Sequence, residues 1–387
     1  LHPLGPGILW SDRRAGAEAA ALGDPAAFRA ATGVVLDGGA HAAKLAWVAR
    51  HTPDVLRGAR WVLAPRDHVI ARLTGVVVTD DTLASRTGLA GLDGDGGWLP
   101  EARTVYGARL PPVVAPTHVV GTVIGAAAAE LGLPRDRAVH VVAGAGDRAC
   151  EVLGTGASAT APMVSWGTTA NVSVPHDGPV GVLPTVAAVS RGARGGFLVE
   201  AGLSGAGEAV AWLAALTGRT HDDLLADAAS AEPGAGGALA LPWLGGARAP
   251  WWRNDVRAEF SNLSLVHGPP HIARALVEGI ALDVARCLEL VAPARAEVAA
   301  AGAGAADDLW RQVLAAVTGL PVTRRALDDA ASVGARLVVG AALGEACTVD
   351  EINPLTARDE PDPGLLAAYR EVRAAADAAA LSTLSAR

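Results

Sequence analysis

Three cysteines (Cys150, Cys287 and Cys347) in 387 residues are too few and too scattered for a disulfide frame. No CxxC pair offers a zinc knuckle either. So sparse a set fits a reducing compartment, with the cytoplasm as the default. Lysine is almost missing, Lys44 being the only one among 32 Lys+Arg. With alanine and glycine abundant, that bias reads as the codon usage of a GC-rich genome. Positive charge is not in excess: 40 Asp+Glu leave a net charge of −8. That balance disfavours nucleic acid or an anionic membrane surface as a partner, whereas one local pocket could still take an anionic small ligand. No apolar run reaches the roughly 18–20 residues of a membrane helix. The opening "LHPLGPGILWSDRRAG" lacks the basic-then-apolar layout of a secretion signal. The only methionine is Met163 and the chain begins at Leu1, so an upstream segment is expected.

What is present is an alternation of helical and extended patterns. "AGAEAAAL", "AAKLAWVARH" and "HVIARLTG" have helical spacing, the last ending at Gly75. "AVHVVAGAGD" reads as a buried strand entering a turn. "PMVSWGTTANVSVP" reads as a β-hairpin, with Met163, Ser165, Asn171 and Ser173 on one face and Val164, Trp166, Val172 and Val174 on the other. A helix is expected from Asp307–Asp308 to Gly319, and another over residues 271–291. The stretches 92–100 and 230–238 read as flexible loops by composition. Strands mixed with crossover helices predict α/β layers in two domains, 1–157 and 158–387.

The stretch "VVAGAGDRACEVLGTG" (141–156) admits three readings. Gly144, Gly146 and Ala149 fit a GxGxxA dinucleotide turn, yet no acidic residue follows about 20 positions on to hold a ribose, and Asp147 would oppose a pyrophosphate. Asp147 could simply cap the next helix. Or it could stand at a strand's carboxyl end and take a proton from a substrate hydroxyl.

Seven stretches are similar, in order, to the FGGY family of carbohydrate kinases, and most so to its xylulokinase-like branch: "AKLAWVARHTPDV" (43–55), "APRDHVIARLTGVVVTDDTLASRTGL" (64–89), "VVAGAGDRACEVLGTG", "VSWGTTANVSV", "LPWLGGARAPWWR" (241–253), "HIARALVEGI" and "AGAGAADDLWRQVLAAVTG". The resemblance implies an actin-like/hexokinase-like α/β fold of two ribonuclease-H-like domains closing on a cleft, with ATP, Mg2+ and a sugar between them. It makes Asp147 the general base of phosphoryl transfer to a sugar or polyol, D-xylulose first. Gly167, Thr168 and Thr169 resemble the hairpin that cradles the ATP phosphates, and Gly302, Gly304 and Ala305 the adenosine loop. Trp10, Asp12 and Arg14 match a Trp-x-Asp-x-Arg segment near the sugar. No protein ligand to the metal is picked out, and a homodimer is expected by analogy alone.

The family's opening Asp-x-Gly-Thr hairpin has no counterpart here, so the N-terminal domain is expected to be incomplete, with an exposed sheet edge. A truncated inactive fragment or a non-catalytic sugar- or nucleotide-binding relative is therefore the first alternative, and an NAD-dependent oxidoreductase the second. Arg148 stands where the family often has an amide near the sugar; it could pair with Asp147 or reach an anionic or larger substrate. Ala247, Asn262 and His41 also depart from the family pattern. His267 and His271 are separated by Pro269 and Pro270, which argues against a shared zinc site. Trp251 and Trp252 are equally a sugar platform or domain packing. Lys44 is read as structural, and Arg191 and Arg194 as solvated loop residues.

Overall fold

Strict alternation from Met163 to Val174 gives the hairpin at the centre of the larger of the molecule's sheets. In the computed structural model, residues 1–387 are described except 93–96, 107–108, 135, 179, 181–186, 204, 346 and 386–387, so part of the 92–100 loop lies outside the described residues. Ahead of the hairpin the chain is mainly helical. Its strands are short: β1 (Thr79–Asp80) runs parallel to β2 (Val113–Val114), and β3 (Val119–Thr122) antiparallel to β4 (His140–Val142). β4 is only partly buried, with His140 exposed. The buried strand expected there is thus half-covered, because β3 is its one ladder partner among the described residues.

The larger sheet contains β5 (Met163–Trp166), β6 (Ala170–His176), β7 (Ala188–Arg191) and β8 (Phe197–Gly202). β9 (Leu239–Leu241) and β10 (Glu259–Ser261) form a separate antiparallel pair. β11 (Val298–Ala301), β12 (Val322–Arg325) and β13 (Leu355–Asp359) complete the order β13-β12-β11-β5-β6-β8-β7. The hairpin register is Met163↔Ser173 and Ser165↔Asn171. Val164, Trp166, Val172 and Val174 enter one core with the helix Pro269–Val291, while Met163 packs with Val152 on the other face.

Caps set the helix ends. Asp307 Oδ1 accepts from the Leu309 amide at 2.8 Å, and Gly319 (φ 68°) ends Asp308–Thr318 in the left-handed conformation. The helix Pro269–Val291 is buried around most of its circumference, four charged residues included. Those charges are paired: Arg274 Nε donates to Glu278 Oε1 at 2.7 Å, and the Tyr369 hydroxyl donates to the same oxygen at 2.7 Å. Arg286 meets Asp283 at 2.6 Å, and Trp243 Nε1 donates to Asp283 at 2.9 Å. Breaking such a pair leaves an uncompensated buried charge, which is why both partners persist. Glu278 Oε1 also accepts from the Gly234 amide at 2.8 Å, and Ala235 and Ala238 are buried. The 230–238 stretch is therefore a packed turn, not the flexible loop its composition suggested.

The helix Asp147–Thr155 crosses Ala330–Leu343 at backbone contact. A Cβ on Gly154 would lie 1.9 Å from the Ala330 carbonyl oxygen, and one on Gly334 1.9 Å from that of Cys150. The two parts of the chain also meet at β7. Val189 N donates to Gly33 O at 2.8 Å, and Arg191 Nη2 to Leu92 O at 2.6 Å. Arg191 also lies 4.7 Å over the Phe197 ring. It is thus a bracing residue and not the solvated loop arginine expected, whereas Arg194 is exposed on its turn.

Candidate active site

The turn before Asp147 is held from behind. Gly144 takes φ 74°, open to glycine without strain. The Gly146 amide donates to Thr82 Oγ1 at 2.8 Å, and that hydroxyl donates to the fully buried Asp80, which Arg66 also contacts. Gly146 is the N-cap, so Asp147 is the first helical residue, exposed, with Oδ1 accepting from the Arg148 amide at 2.8 Å. The dinucleotide reading fails on topology: β4 and β5, which flank this helix, lie in different sheets, so they form no βαβ unit around it.

Arg148 turns its guanidinium away from Asp147, onto Glu151 and onto Glu200 at 3.4 Å. The pairing expected between these neighbours is thus made by the backbone amide alone. Glu200 is buried and also takes Arg86. Glu200 foremost, and Asp147 to a lesser degree, hold the Arg86 guanidinium above its ordinary pKa. Glu151 in turn accepts from Ser165 Oγ, two residues before Gly167. The Asp147 helix and the hairpin turn are so linked through side chains.

That turn, Gly167–Thr169, has Gly167 and Thr168 exposed. Its carbonyls are taken by the start of the helix Gly207–Thr217: Gly207 N donates to Gly167 O at 3.0 Å and Glu208 N to Thr168 O at 2.9 Å. Gly302 and Gly304 lie against Trp166, where a Cβ would stand 2.2 Å from Trp166 O and 2.9 Å from Trp166 Cβ respectively. Only glycine permits that approach, and it sets the Gly302–Ala305 loop beside the hairpin turn. Ala305 is buried and its carbonyl accepts from Arg311 at 2.6 Å.

A cleft of about 290 Å³ opens between the two parts of the chain, lined among others by Trp10, Arg86, Glu200, Arg248 and Trp252. Lys44 shapes one rim: buried, it donates from Nζ to Leu9 O at 2.8 Å and to Trp10 O at 3.2 Å. Trp10 is 75% exposed at this rim. Asp12 and Arg14 pair with each other at 2.6 Å, and Arg14 lies 5.0 Å from the Trp47 ring centroid. It is Arg13, between them, that faces the cleft. The tryptophan pair divides similarly. Trp252 lines the cleft, whereas Trp251 packs on Trp243 and reaches Asp283. Asn262, in place of a usual glycine, has φ 58°, a conformation asparagine tolerates. Arg13, Arg86, Glu200 and Arg248 were not singled out from sequence as cleft residues. Glu200 alone left a local signal, as a carboxylate within the apolar run "FLVEAG".

Asp81, beside the bracing Asp80, has a buried Oδ1 without a hydrogen-bond partner among the described residues. Burial first, then the Asp80 charge, pushes its carboxyl up to about 6 from 3.8. The folded state thus binds this proton more tightly than the unfolded chain. The associated stability is present below about pH 4 and lost as pH rises through 6. Relative to Asp81→Asn, the wild type is expected to lose about 1–3 kcal/mol between pH 4 and pH 7.5, read from urea midpoints at the two values. A constant difference would refute the assignment.

The layout is that of a two-domain α/β sugar-kinase fold. It superposes on ligand-bound xylulose kinase from Lactobacillus acidophilus with a TM-score of 0.89 at 24% identity, over 99% of this chain and 82% of that one. At such identity the likeness speaks to fold alone. Xylulose kinase from Rhodospirillum rubrum gives a TM-score of 0.87 at 27% identity, over 98% of this chain and 80% of its own. Among curated sequences, Xylulose kinase of Klebsiella pneumoniae is 30% identical over 384 residues, 95% of this chain and 74% of that protein. The family models for the N-terminal and C-terminal domains of the FGGY family of carbohydrate kinases match residues 2–154 and 163–343. The chain belongs to the FGGY family of carbohydrate kinases. Among the described residues no helix is long and apolar enough to cross a membrane.

Proposed function

We propose that this protein transfers the terminal phosphoryl group of ATP to a hydroxyl of a sugar or polyol, with D-xylulose as the first acceptor to try. The division of labour runs near residue 158, with acceptor groups mainly before it and nucleotide groups after it. One observation carries the reading: an exposed carboxylate, Asp147, begins a braced helix whose Arg148 and Glu151 link it to the cleft residue Glu200 and to Ser165 of the hairpin.

In this reading Asp147 accepts the acceptor's hydroxyl proton as its oxygen attacks phosphorus. A positioned base contributes about 10²–10⁴ in rate. Gly167, Thr168 and Thr169 offer amides and hydroxyls for phosphate oxygens, an anion-binding arrangement. Gly302, Gly304 and Ala305 offer a side-chain-poor surface for the nucleoside. Magnesium would offset phosphate charge; among the described residues no three His, Cys, Asp or Glu side chains gather to hold one, so no protein ligand is assigned to it. Trp10 and Trp252 supply aromatic faces for sugar C–H groups. The test is ADP release with D-xylulose, glycerol and a panel of ketoses and polyols. Acceptor-dependent release is expected with at least one of them, and none above the acceptor-free background would overturn the kinase reading.

A further inference from the structure

Around the first turn of the helix Asp147–Thr155, the guanidiniums of Arg86 and Arg148 meet the carboxylates of Asp147, Glu151 and Glu200. Arg148 Nη1 pairs with Glu151 three residues on, and its Nε stands 3.4 Å from Glu200 Oε1. Arg86 takes the other oxygen of Glu200. Glu151 and Glu200 are thus each claimed by a guanidinium, whereas Asp147 makes no ion pair among the described residues; its Oδ1 accepts from the Arg148 amide. Arg86 feels the Asp147 charge without contacting it. Cys150, on the same helix, adds no charge at pH 7, since burial foremost pushes its thiol up to about 11.

That distribution needs a cause. Arg148 is the second residue of the helix, where the positive end of the dipole disfavours a cation unless carboxylates surround it. Its own neighbour Asp147 is one such carboxylate, yet the guanidinium lies elsewhere. Glu151 provides the stronger hold, and its position is fixed from the far side. Ser165 Oγ donates to Glu151 Oε1, which leaves Oε2 for Arg148. Ser165 is itself held within the sheet, opposite Asn171 on one side and Ala301 on the other. The side chains of Arg148 and Glu151 are only 25% and 19% exposed, so solvent and salt screen the pair less than a surface one. Glu200 is shared with Arg86 and meets Arg148 through Nε alone. Without the Glu151 charge, Arg148 Nη1 loses its partner, and Asp147 is the carboxylate still unclaimed.

We propose that Glu151, pinned by Ser165, is a positioning residue that holds the Arg148 guanidinium off Asp147, so that this carboxylate stays free to take the acceptor's hydroxyl proton. The inference rests on the kinase reading and adds to it. A guanidinium laid on Asp147 would occupy the lone pairs that receive the proton and favour the charged carboxylate over the protonated one.

The test is Glu151→Gln, which keeps an oxygen for Ser165 and removes the charge facing Arg148. With the panel acceptor that turns over fastest, kcat/KM at pH 7 is expected to fall about tenfold, mostly through kcat. The acid limb of its pH profile should move down by about 0.5–1 unit. Adding Arg148→Gln should then recover most of the loss, because no guanidinium is left to lie on Asp147. A Glu151 that merely supports the fold would leave the double variant at least as impaired as the single one. A crystal structure of Glu151→Gln should show Arg148 within about 4 Å of the Asp147 carboxylate. A double variant no more active than Glu151→Gln, or a structure with Arg148 still clear of Asp147, would overturn the proposal. If Glu151→Gln does not fold, Ser165→Ala takes its place, unpinning Glu151 without removing a charge. The same signs are expected there at smaller amplitude, again reversed by Arg148→Gln. Should the wild type release no ADP with any acceptor, the kinase reading falls, and the variant's crystal structure alone decides whether Glu151 keeps Arg148 from Asp147.

Discussion

Asp147→Asn is expected to lower acceptor-dependent kcat by about 10²–10⁴-fold, while KM for the acceptor moves by less than about threefold. The variant is almost isosteric. Its side-chain oxygen can still accept from the Arg148 amide, and the N-cap remains Gly146. Thr82 and Asp80 still brace the turn from behind. What disappears is the capacity to take a proton as the hydroxyl attacks. A loss confined to kcat would identify a group used in the transition state, whereas a matching rise in KM would point to binding alone. Wild-type turnover in Asp147→Asn would remove this residue from the chemistry.

The second large effect is on stability. Gly334→Ala places a methyl carbon where only 1.9 Å separates it from the Cys150 carbonyl oxygen, and Gly154→Ala does the same against Ala330. Each obstacle is helix backbone, which cannot swing aside as a side chain does. Relief requires moving Asp147–Thr155 off Ala330–Leu343. We expect each substitution to cost about 3 kcal/mol, at the upper end for overpacked sites, seen as a lowered urea midpoint. The double variant should cost less than the sum, since the first displacement makes room for the second. The moved helix begins at Asp147, so activity should fall even where the variant stays folded. A Gly334→Ala midpoint within about 0.5 kcal/mol of wild type would contradict this helix crossing.

Local chemistry was legible from the chain. The hairpin faces, the cap at Asp307, the stop at Gly319 and the long helix ending at Val291 all appear where spacing and capping place them. Each depends on residues a few positions apart, so one-dimensional order contains the needed information. Three misreadings share a different cause. β4 is half-covered, the 230–238 stretch is packed, and Arg191 is engaged, because burial is set by segments distant in the chain.

The site shows the same limit more sharply. Seven ordered stretches sufficed to identify the family, and they single out Asp147 and the two glycine-rich turns as candidates. They could not say that Arg13 rather than Arg14 faces the cleft, or that Trp252 lines it while Trp251 is internal. Neighbouring residues in a loop point in directions fixed by backbone torsions, and periodicity does not encode those. Arg86 and Glu200 meet across 114 positions, and Glu200 then gathers Arg148 as well. The sequence by itself determined the family and those elements that spacing and caps mark, because these follow from short-range pattern and ordered motifs. Only the tertiary structure decided which charges share the cleft, because that depends on which distant segments pack close enough for their fields to add.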